Sequence, residues 1–305
     1  MPKHEVKIIV NPNADLGRAW QWASELHPIV KQYGGADWSG TVYPTHALEL
    51  ARQAAEAGYK LVIAVGGDGT VHEVINGLMK VPVDRRPRLG IVPFGSGNDF
   101  AHAAGVNRNP REALRQVFTG KTKRVDVARL EDDRGRVEFV DNTVGVGFDA
   151  TVNIRSRKIT MARGFLIYLI AVLQTIILNH EAPRMQVKTD RERWDEEMLM
   201  LVMCNGEREG GGFIVAPEAY PDDGIFDYAA IRRVSRAMML RLIPEVMRGT
   251  HGRFRQVRLG KFSRLELETD RPITIHTDGE IFAGFGTNVR RISLQVLPGE
   301  IEVVV

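Results

Sequence analysis

Two domains of different architecture are expected from this sequence: an N-terminal α/β domain on an open, mostly parallel sheet, and a C-terminal, mostly antiparallel β domain. Three observations predict them. Apolar runs and helix-spaced segments alternate through residues 1–130, the pattern of strands joined by crossover helices. Leu61–Val65 (LVIAV) is continuously apolar, as a strand buried on both faces of a parallel sheet must be. Beyond Leu130, short β-branched or alternating segments are separated by Gly, Pro and Asp turns. The 305 residues suffice for two cores. The expected division is 1–130 and 131–297, with 298–305 a candidate to rejoin the first domain.

In the first domain, Val6–Val10 is a strand ended by the turn Asn11-Pro12-Asn13. Arg18–Tyr33 has helical spacing through Trp22, Leu26, Ile29 and Val30. Ala47–Ala57 is a helix stopped by Gly58. Leu61–Val65 is a strand, Val71–Met79 a helix, Leu89–Val92 a strand and Pro110–Phe118 a helix. In the second domain, the strand candidates are Val137–Val146, Trp194–Cys204, Ile225–Ile231, Arg253–Leu259, Ser263–Glu268, Ile273–Thr277 and Ile292–Leu297, with Ile301–Val305 last. Helices interrupt them at Thr160–Leu178 and, after a Ser235 N-cap, at Arg236–Met247. The domain boundary is placed near Leu130, ahead of the charged turn Glu131–Gly135.

Composition narrows the class without naming it. A net charge of +3 permits anionic partners and demands none. The single Cys204 excludes an intrachain disulfide framework and a Cys-rich zinc site, and fits a reducing cytoplasm. The start, MPKHEVKIIV, has no secretory apolar region. Phe165–Leu178 is apolar but shorter than the ~20 residues needed to cross a bilayer. It reads as a helix that either walls an acyl-chain pocket, rests on a membrane or is buried in the core. Arg155, Arg157, Lys158 and Arg163 beside it would meet anionic lipid heads or form a solvated charged face.

The sharpest chemical signal is Gly66-Gly67-Asp68-Gly69-Thr70, between a buried strand and a helix. Glycines bring backbone N–H groups close to an anion, and the helix start adds a favourable dipole. Asp68 beside phosphates calls for a cation, which points to Mg²⁺ on a nucleotide. A second strand-to-helix loop, Pro93–Phe100, contains Gly95, Ser96, Asn98 and Asp99. In an open α/β sheet such loops gather at one carboxyl edge, with Asn11, Pro12 and Asn13, and with Gly17 and Arg18 able to reach a phosphate. Neither a Walker A motif nor GxGxxG is present. Two acidic clusters follow. Tyr220–Ile225, with Asp223, is either a turn or a cation site. Thr277-Asp278-Gly279-Glu280 is either a DG turn or a carboxylate that takes a proton from a hydroxyl.

Together these segments resemble the soluble diacylglycerol kinase catalytic family, which includes sphingosine kinases and bacterial lipid kinases. The resemblance rests on Leu61–Met79, Pro93–Ala101, Thr45-His46-Ala47, Val125-Asp126, Gly145–Ala150, Gly210–Phe213, the Asp222-Asp223-Gly224 turn and Thr277–Glu280, in that family's order. It implies an NAD kinase- or phosphofructokinase-like ATP-binding domain, a β-sandwich-like second domain and a cleft between them. It implies ATP contacts at Asn11, Thr45, the run Gly67, Asp68, Gly69, Thr70, Val71, His72 and Glu73, and Ser96. It implies Asp278 as general base with Glu280 beside it, Asp68 and Asp126 in the acidic network, and a structural Mg²⁺ held by Asp223 and the carbonyls of Tyr220 and Ile225.

This chain departs from the family at His72, where Asn is usual, at Ser96 for Thr, at His102 for the Arg of some members, and in the longer NPNADLG loop. The expected function is transfer of the ATP γ-phosphoryl group to a lipid hydroxyl, with diacylglycerol or a related lipid as acceptor and a peripheral site on the inner face of the membrane. Nucleic acid is not expected as a partner, and a homodimer stays open. The rivals are an NAD kinase, an inactive nucleotide-responsive regulator and a non-enzymatic membrane binder.

Overall fold

The structure is a computed structural model that describes residues 3–159, 165–179 and 181–305, with the side chains at 15, 16, 18–20 and 23 outside that description. Arg163, the Arg18 side chain and the segment from Thr160 into the expected long helix therefore lie outside the described residues. Two compact units emerge: Met1–Asp126 with Gly299–Val305, and Val127–Pro298. The first is α/β with a parallel sheet and the second is a β-sandwich.

The first unit contains β1 (Val6–Val10), α1 (Arg18–Gln32), β2 (Asp37–Gly40), α2 (His46–Glu56), β3 (Leu61–Gly66), α3 (Asp68–Leu78), β4 (Arg88–Pro93), α4 (Asp99–Ala104), α5 (Pro110–Thr119) and the start of β5 (Thr122–Asp132). Its strands run parallel in the order β2-β1-β3-β4, with Val303 of the returning C-terminus paired to Leu89. Every residue of β3 is buried, as covering both faces of a parallel sheet requires. The core joins Ile8, Ile63 and Val65 of the sheet to Leu26 and Val30 of α1 and Leu114 of α5. Asn109 caps α5 by accepting the Arg111 N–H at 3.0 Å, with Pro110 at the first helical position.

The second unit contains the rest of β5, then β6 (Val137–Val140), β7 (Thr143–Gly147), α6 (Phe148–Ser156), α7 (Phe165–Leu178), β8 (Arg184–Thr189), β9 (Arg193–Cys204), β10 (Arg208–Glu209), β11 (Phe213–Ile214), β12 (Phe226–Arg232), α8 (Arg236–Met247), β13 (Val257–Phe262), β14 (Arg264–Thr269), β15 (Ile275–Thr277), β16 (Glu280–Ala283) and most of β17 (Arg291–Val304). The strand β9 joins two antiparallel layers. Its first half pairs with β8, and its second half pairs with β7 and β12. Alternation of exposed and buried residues in β14 turns Leu265 and Leu267 inward onto a core with Met203, Phe226, Tyr228 and Phe262.

Several elements differ from expectation, each for a local reason. Val137–Val146 is two strands, because the chain turns at Asp141-Asn142 and gives its N–H groups to the Asp278 carboxylate. The helix after GGDGT begins at Asp68 rather than Val71, since an acidic first turn suits the helix dipole. The expected boundary near Leu130 falls inside β5, and the compact units divide after Asp126. Ile292–Leu297 and Ile301–Val305 belong to one strand, because Pro298 and Gly299 (φ +62°) kink β17 instead of ending it. Arg253–Leu259 starts as a 3-10 turn at His251–Arg253, so its strand begins only at Val257. Helix α6 escapes periodicity because it is buried almost all round, and α4 is too short to show any.

Candidate functional site

In the first unit the expected phosphate loops form one hydrogen-bonded assembly. Asn11 follows β1, and its Nδ2 donates to Thr70 Oγ1 at 3.1 Å, tying the first loop to the GGDGT segment. Asn11 Oδ1 accepts the Asn13 N–H at 3.0 Å, which closes the Asn11-Pro12-Asn13 turn. The GGDGT segment in turn meets the Pro93–Phe100 loop. A Cβ on Gly67 would lie 2.8 Å from Gly95 Cα, so only glycine lets the two backbones approach this closely. Asp68 crosses between the loops, accepting the N–H groups of Asn98 (2.7 Å) and Phe100 (3.4 Å) at the start of α4. Asn98 closes its own loop through Gly95, accepting its N–H at 2.7 Å and donating to its carbonyl at 2.8 Å.

The Asp68 and Asp99 carboxylates both flank Gly97, where a Cβ would lie 3.0 and 2.8 Å from their Oδ2 atoms. Two hard oxygen donors beside a glycine-rich backbone suit a magnesium nucleotide. Glu73 on α3 reaches back to accept the N–H groups of Thr45 (2.9 Å) and Ala47 (3.0 Å), capping α2. Of the remaining expected residues, Gly66 and Gly69 complete the turn, and Val71 and His72 are buried in α3. The His72 ring sits 3.4 Å from Asn76 Nδ2. Ser96 is exposed, and Gly17 takes φ +87° ahead of Arg18. His102 on α4 has Nδ1 3.5 Å from an Arg108 nitrogen. Asp126 accepts the Gly299 N–H at 2.8 Å, which anchors the returning C-terminus.

In the second unit Asp278 is buried, and its two oxygens accept the N–H groups of Asp141 (3.0 Å), Asn142 (2.8 Å) and Thr143 (2.7 Å). The three non-glycine residues with left-handed backbone, among the described residues, are Thr45, Asn98 and Asp278. All three belong to the expected site, and such strain persists only where its surroundings hold it. Glu280 is half exposed and pairs with Arg157 at 2.7 Å. At the other acidic cluster, Asp223 folds back to accept the Ile225 N–H at 3.2 Å, next to an exposed Tyr220. Burial is the main cause that pushes the neighbouring Asp227 up.

This unit holds a cavity beside α7, the helix for which an acyl-chain pocket was one expectation, but its polar residues were not foreseen from sequence. The cavity is apolar, with a free volume of about 90 Å³, or about 770 Å³ with its open mouth. Tyr168, Val172 and Ile176 of α7 line one side, and Leu199, Met239 and Leu242 line others. The opposite stripe of α7, Leu166, Ile170, Leu173 and Ile177, is exposed. The helix is thus neither wholly core nor wholly surface. Thr175 fits its buried face by donating to the Ala171 carbonyl at 2.7 Å. The Gly210–Phe213 segment lies against α7, with a Cβ on Gly210 only 3.1 Å from the Tyr168 ring and Phe213 stacked at a tilt on Phe165, centroids 5.0 Å apart. Asp149, Asn153 and Glu209 supply the cavity's polar wall, and His276 stands behind Asp149 and Glu209. A histidine in the middle of the fully buried strand β15 was the available signal. No helix among the described residues is long and apolar enough to cross a membrane.

Comparison with known proteins bears on both units. The diacylglycerol kinase catalytic domain profile matches residues 5–130, and that of the YegS C-terminal NAD kinase beta sandwich-like domain matches residues 142–305. A diacylglycerol kinase of Bacillus subtilis (strain 168) is 27% identical over 304 residues, covering 96% of each chain. A Chromohalobacter salexigens protein named "Probable lipid kinase YegS-like" is 34% identical over 241 residues, 76% of this chain and 73% of its own. A solved diacylglycerol kinase structure from Bacillus anthracis str. Sterne superposes with TM-score 0.73 at 22% identity, over 100% of this chain and 98% of that one, a likeness of fold. With both units matched in order, the chain belongs to the bacterial diacylglycerol kinase-like family of lipid kinases.

Proposed function

We propose that this chain transfers the γ-phosphoryl group of ATP to the hydroxyl of a lipid, with diacylglycerol or a closely related acylglycerol as acceptor. The observation that carries this reading is the apolar cavity of the second unit, which suits an alkyl chain far better than a nucleotide. The glycine-lined loops of the first unit suit polyphosphate instead, since a side chain at Gly67 or Gly95 would occupy the space between them.

The residues divide the work. Backbone amides of Gly67, Asp68 and Gly69 at the start of α3 bind and orient phosphates, while Asn11 and the Gly95–Asn98 loop hold that turn in shape and Thr45 holds the start of α2 in place. Asp68 and Asp99 offer oxygens to magnesium. When bound, the magnesium nucleotide supplies the phosphoryl group and neutralises its charge. Asp278 takes the proton of the lipid hydroxyl, and its three amide donors fix the carboxylate so that no reorientation is needed. Glu280, through Arg157, steadies the Asp278 turn, because Arg157 also donates to the Gly279 carbonyl at 2.6 Å. Asp126 secures the Gly299 turn. Asp223, with the carbonyls of Tyr220 and Ile225, forms a structural cation site. The exposed stripe of α7 rests on the inner face of a membrane, where the acceptor resides.

The test is phosphorylation of a panel of acceptors by purified protein with labelled ATP and Mg²⁺: diacylglycerol, a sphingoid base, a polyprenol, a glycolipid and NAD. Label is expected in diacylglycerol. Label in NAD, or in none of the lipids, would remove the proposal.

A further inference from the structure

Strand β7 lies between β15 and β9 in its layer, and Thr143 at its start pairs with Cys204 at the end of β9. The residues just outside these strand ends meet at one point. Asp278 follows β15, Asn205 follows β9, and Asp141-Asn142 precedes β7. All four are buried, with Asn205 0% exposed. Here the chain passes from β6, which pairs with β5, to β7, which pairs with β9 and β15. Asp141 and Asn142 themselves belong to neither strand, so side chains and neighbouring strand ends must hold them.

Asn205 does so twice. Its side-chain Nδ2 donates to the Asp141 carbonyl at 2.8 Å, and its backbone N–H donates to the Asn142 carbonyl at 2.7 Å. Each of these carbonyls shares a peptide group with an N–H that Asp278 uses. The Asp141 carbonyl and the Asn142 N–H form one group, and the Asn142 carbonyl and the Thr143 N–H form the next. Both N–H groups donate to the same carboxylate oxygen, Asp278 Oδ1, at 2.8 and 2.7 Å. Two consecutive peptide planes are thus gripped between Asn205 on one side and Asp278 on the other. Both are trans, so fixing the carbonyl fixes the direction of the N–H. A hydrogen bond to the carbonyl also polarises the N–H opposite, which strengthens its bond to the carboxylate. Asn142 adds a brace, since its Nδ2 donates to the Arg208 carbonyl at 3.1 Å.

Packing alone does not call for an amide at this place. Burying an asparagine side chain costs free energy that an apolar residue of similar size avoids, unless hydrogen bonds offset it. The left-handed backbone of Asp278 (φ +49°) is itself held against local preference. A carboxylate on such a turn keeps its place only while its amide partners keep theirs. Given Asp278 as the base of the proposed phosphoryl transfer, we propose that Asn205, braced by Asn142, is a positioning residue. It aims the Asn142 and Thr143 amides at Asp278 and so fixes the carboxylate that takes the proton of the lipid hydroxyl. Loss of such a bond displaces a reacting group without removing it, and a displacement of about 1 Å can cost about 10²-fold in rate.

The experiment pairs two measurements on the full-length protein and its Asn205→Ala and Asn142→Ala variants. Hydrogen exchange, read by mass spectrometry over residues 138–146, should run about tenfold faster in Asn205→Ala and about threefold faster in Asn142→Ala. Exchange in β14 (Arg264–Thr269) should not change. With labelled ATP and diacylglycerol, kcat should fall about tenfold or more in Asn205→Ala, while KM for ATP and for the lipid stays within about twofold. In an Asp278→Asn background the Asn205 change should lower kcat no further, because it acts through Asp278. Unaltered exchange over 138–146, a raised KM with unchanged kcat, or a full further loss on top of Asp278→Asn would each overturn the proposal. Should Asn205→Ala not fold, Asn142→Ala decides by the same readouts, since it loses the brace and keeps the buried Asn205. A wild type that phosphorylates no lipid would remove the kinase reading, and exchange would then decide by itself whether the two asparagines hold the amides. Lipid phosphorylation with unaltered exchange and kcat in both variants would keep the kinase and remove the positioning role.

Discussion

The two candidate sites are built in opposite ways. In the first unit, short contiguous stretches supply glycines and backbone N–H groups, locked together by Asp68, Asn98, Glu73 and Asn11. In the second unit, the cavity takes side chains from α6, α7, β9 to β12 and α8, spread from Phe148 to Val246. A polyphosphate is gripped by amides, and amides come close only where the residue is small. An alkyl chain is gripped by shape, and many combinations of apolar side chains make the same shape. The first kind of site constrains sequence tightly and the second loosely.

Substitutions can break this contrast in order of effect. Asp278→Asn should give the largest loss, lowering turnover by about 10²–10⁴-fold while magnesium nucleotide still binds in a calorimeter. Equal losses of turnover and nucleotide binding would instead make Asp278 a structural strut. Gly95→Ala should lower nucleotide affinity by about 10–100-fold, because its Cβ would press on Gly67 Cα at 2.5 Å and Asn98 Oδ1 at 2.7 Å. Acylglycerol binding, measured on the same protein, should not follow. Paired Leu173→Ser and Ile177→Ser on the exposed stripe should reduce co-sedimentation with anionic vesicles about tenfold, with soluble-nucleotide binding intact.

The smallest effect concerns His251, far from either set of loops in sequence. Burial holds this ring below its ordinary value of 6.5. The unfolded chain therefore protonates first as pH falls, so stability is full above about 6.5 and declines below it. Denaturant midpoints between pH 5 and 8 should show that decline in wild type and a weaker one in His251→Gln, which keeps a donor for the Val215 carbonyl.

The same contrast explains what the sequence disclosed. LVIAV and the GGDGT segment were legible because burial on both faces and close backbone approach each leave a local signature. Asp278 was legible as a residue, but not its three amide donors, because the break at Asp141-Asn142 that supplies them lies in a run that reads as one strand. Helix α7 was visible as an apolar stretch, yet nothing in FLIYLIAVLQTIIL says which face meets a cavity and which meets solvent. Glu209, Asn153 and His276 stayed hidden for a further reason. Each is an ordinary polar residue in its own segment, and only the fold sets them at one chamber.

The central claim is that nucleotide and lipid are held by separate parts of the chain, and the Leu242→Trp variant tests it most directly. Leu242 is 3% exposed and lines the cavity, so an indole there would fill it. Steady-state kinetics with diacylglycerol micelles should show KM for the lipid raised at least about tenfold and KM for ATP unchanged. A lipid KM equal to that of the wild type, in a protein that still folds, would contradict the account.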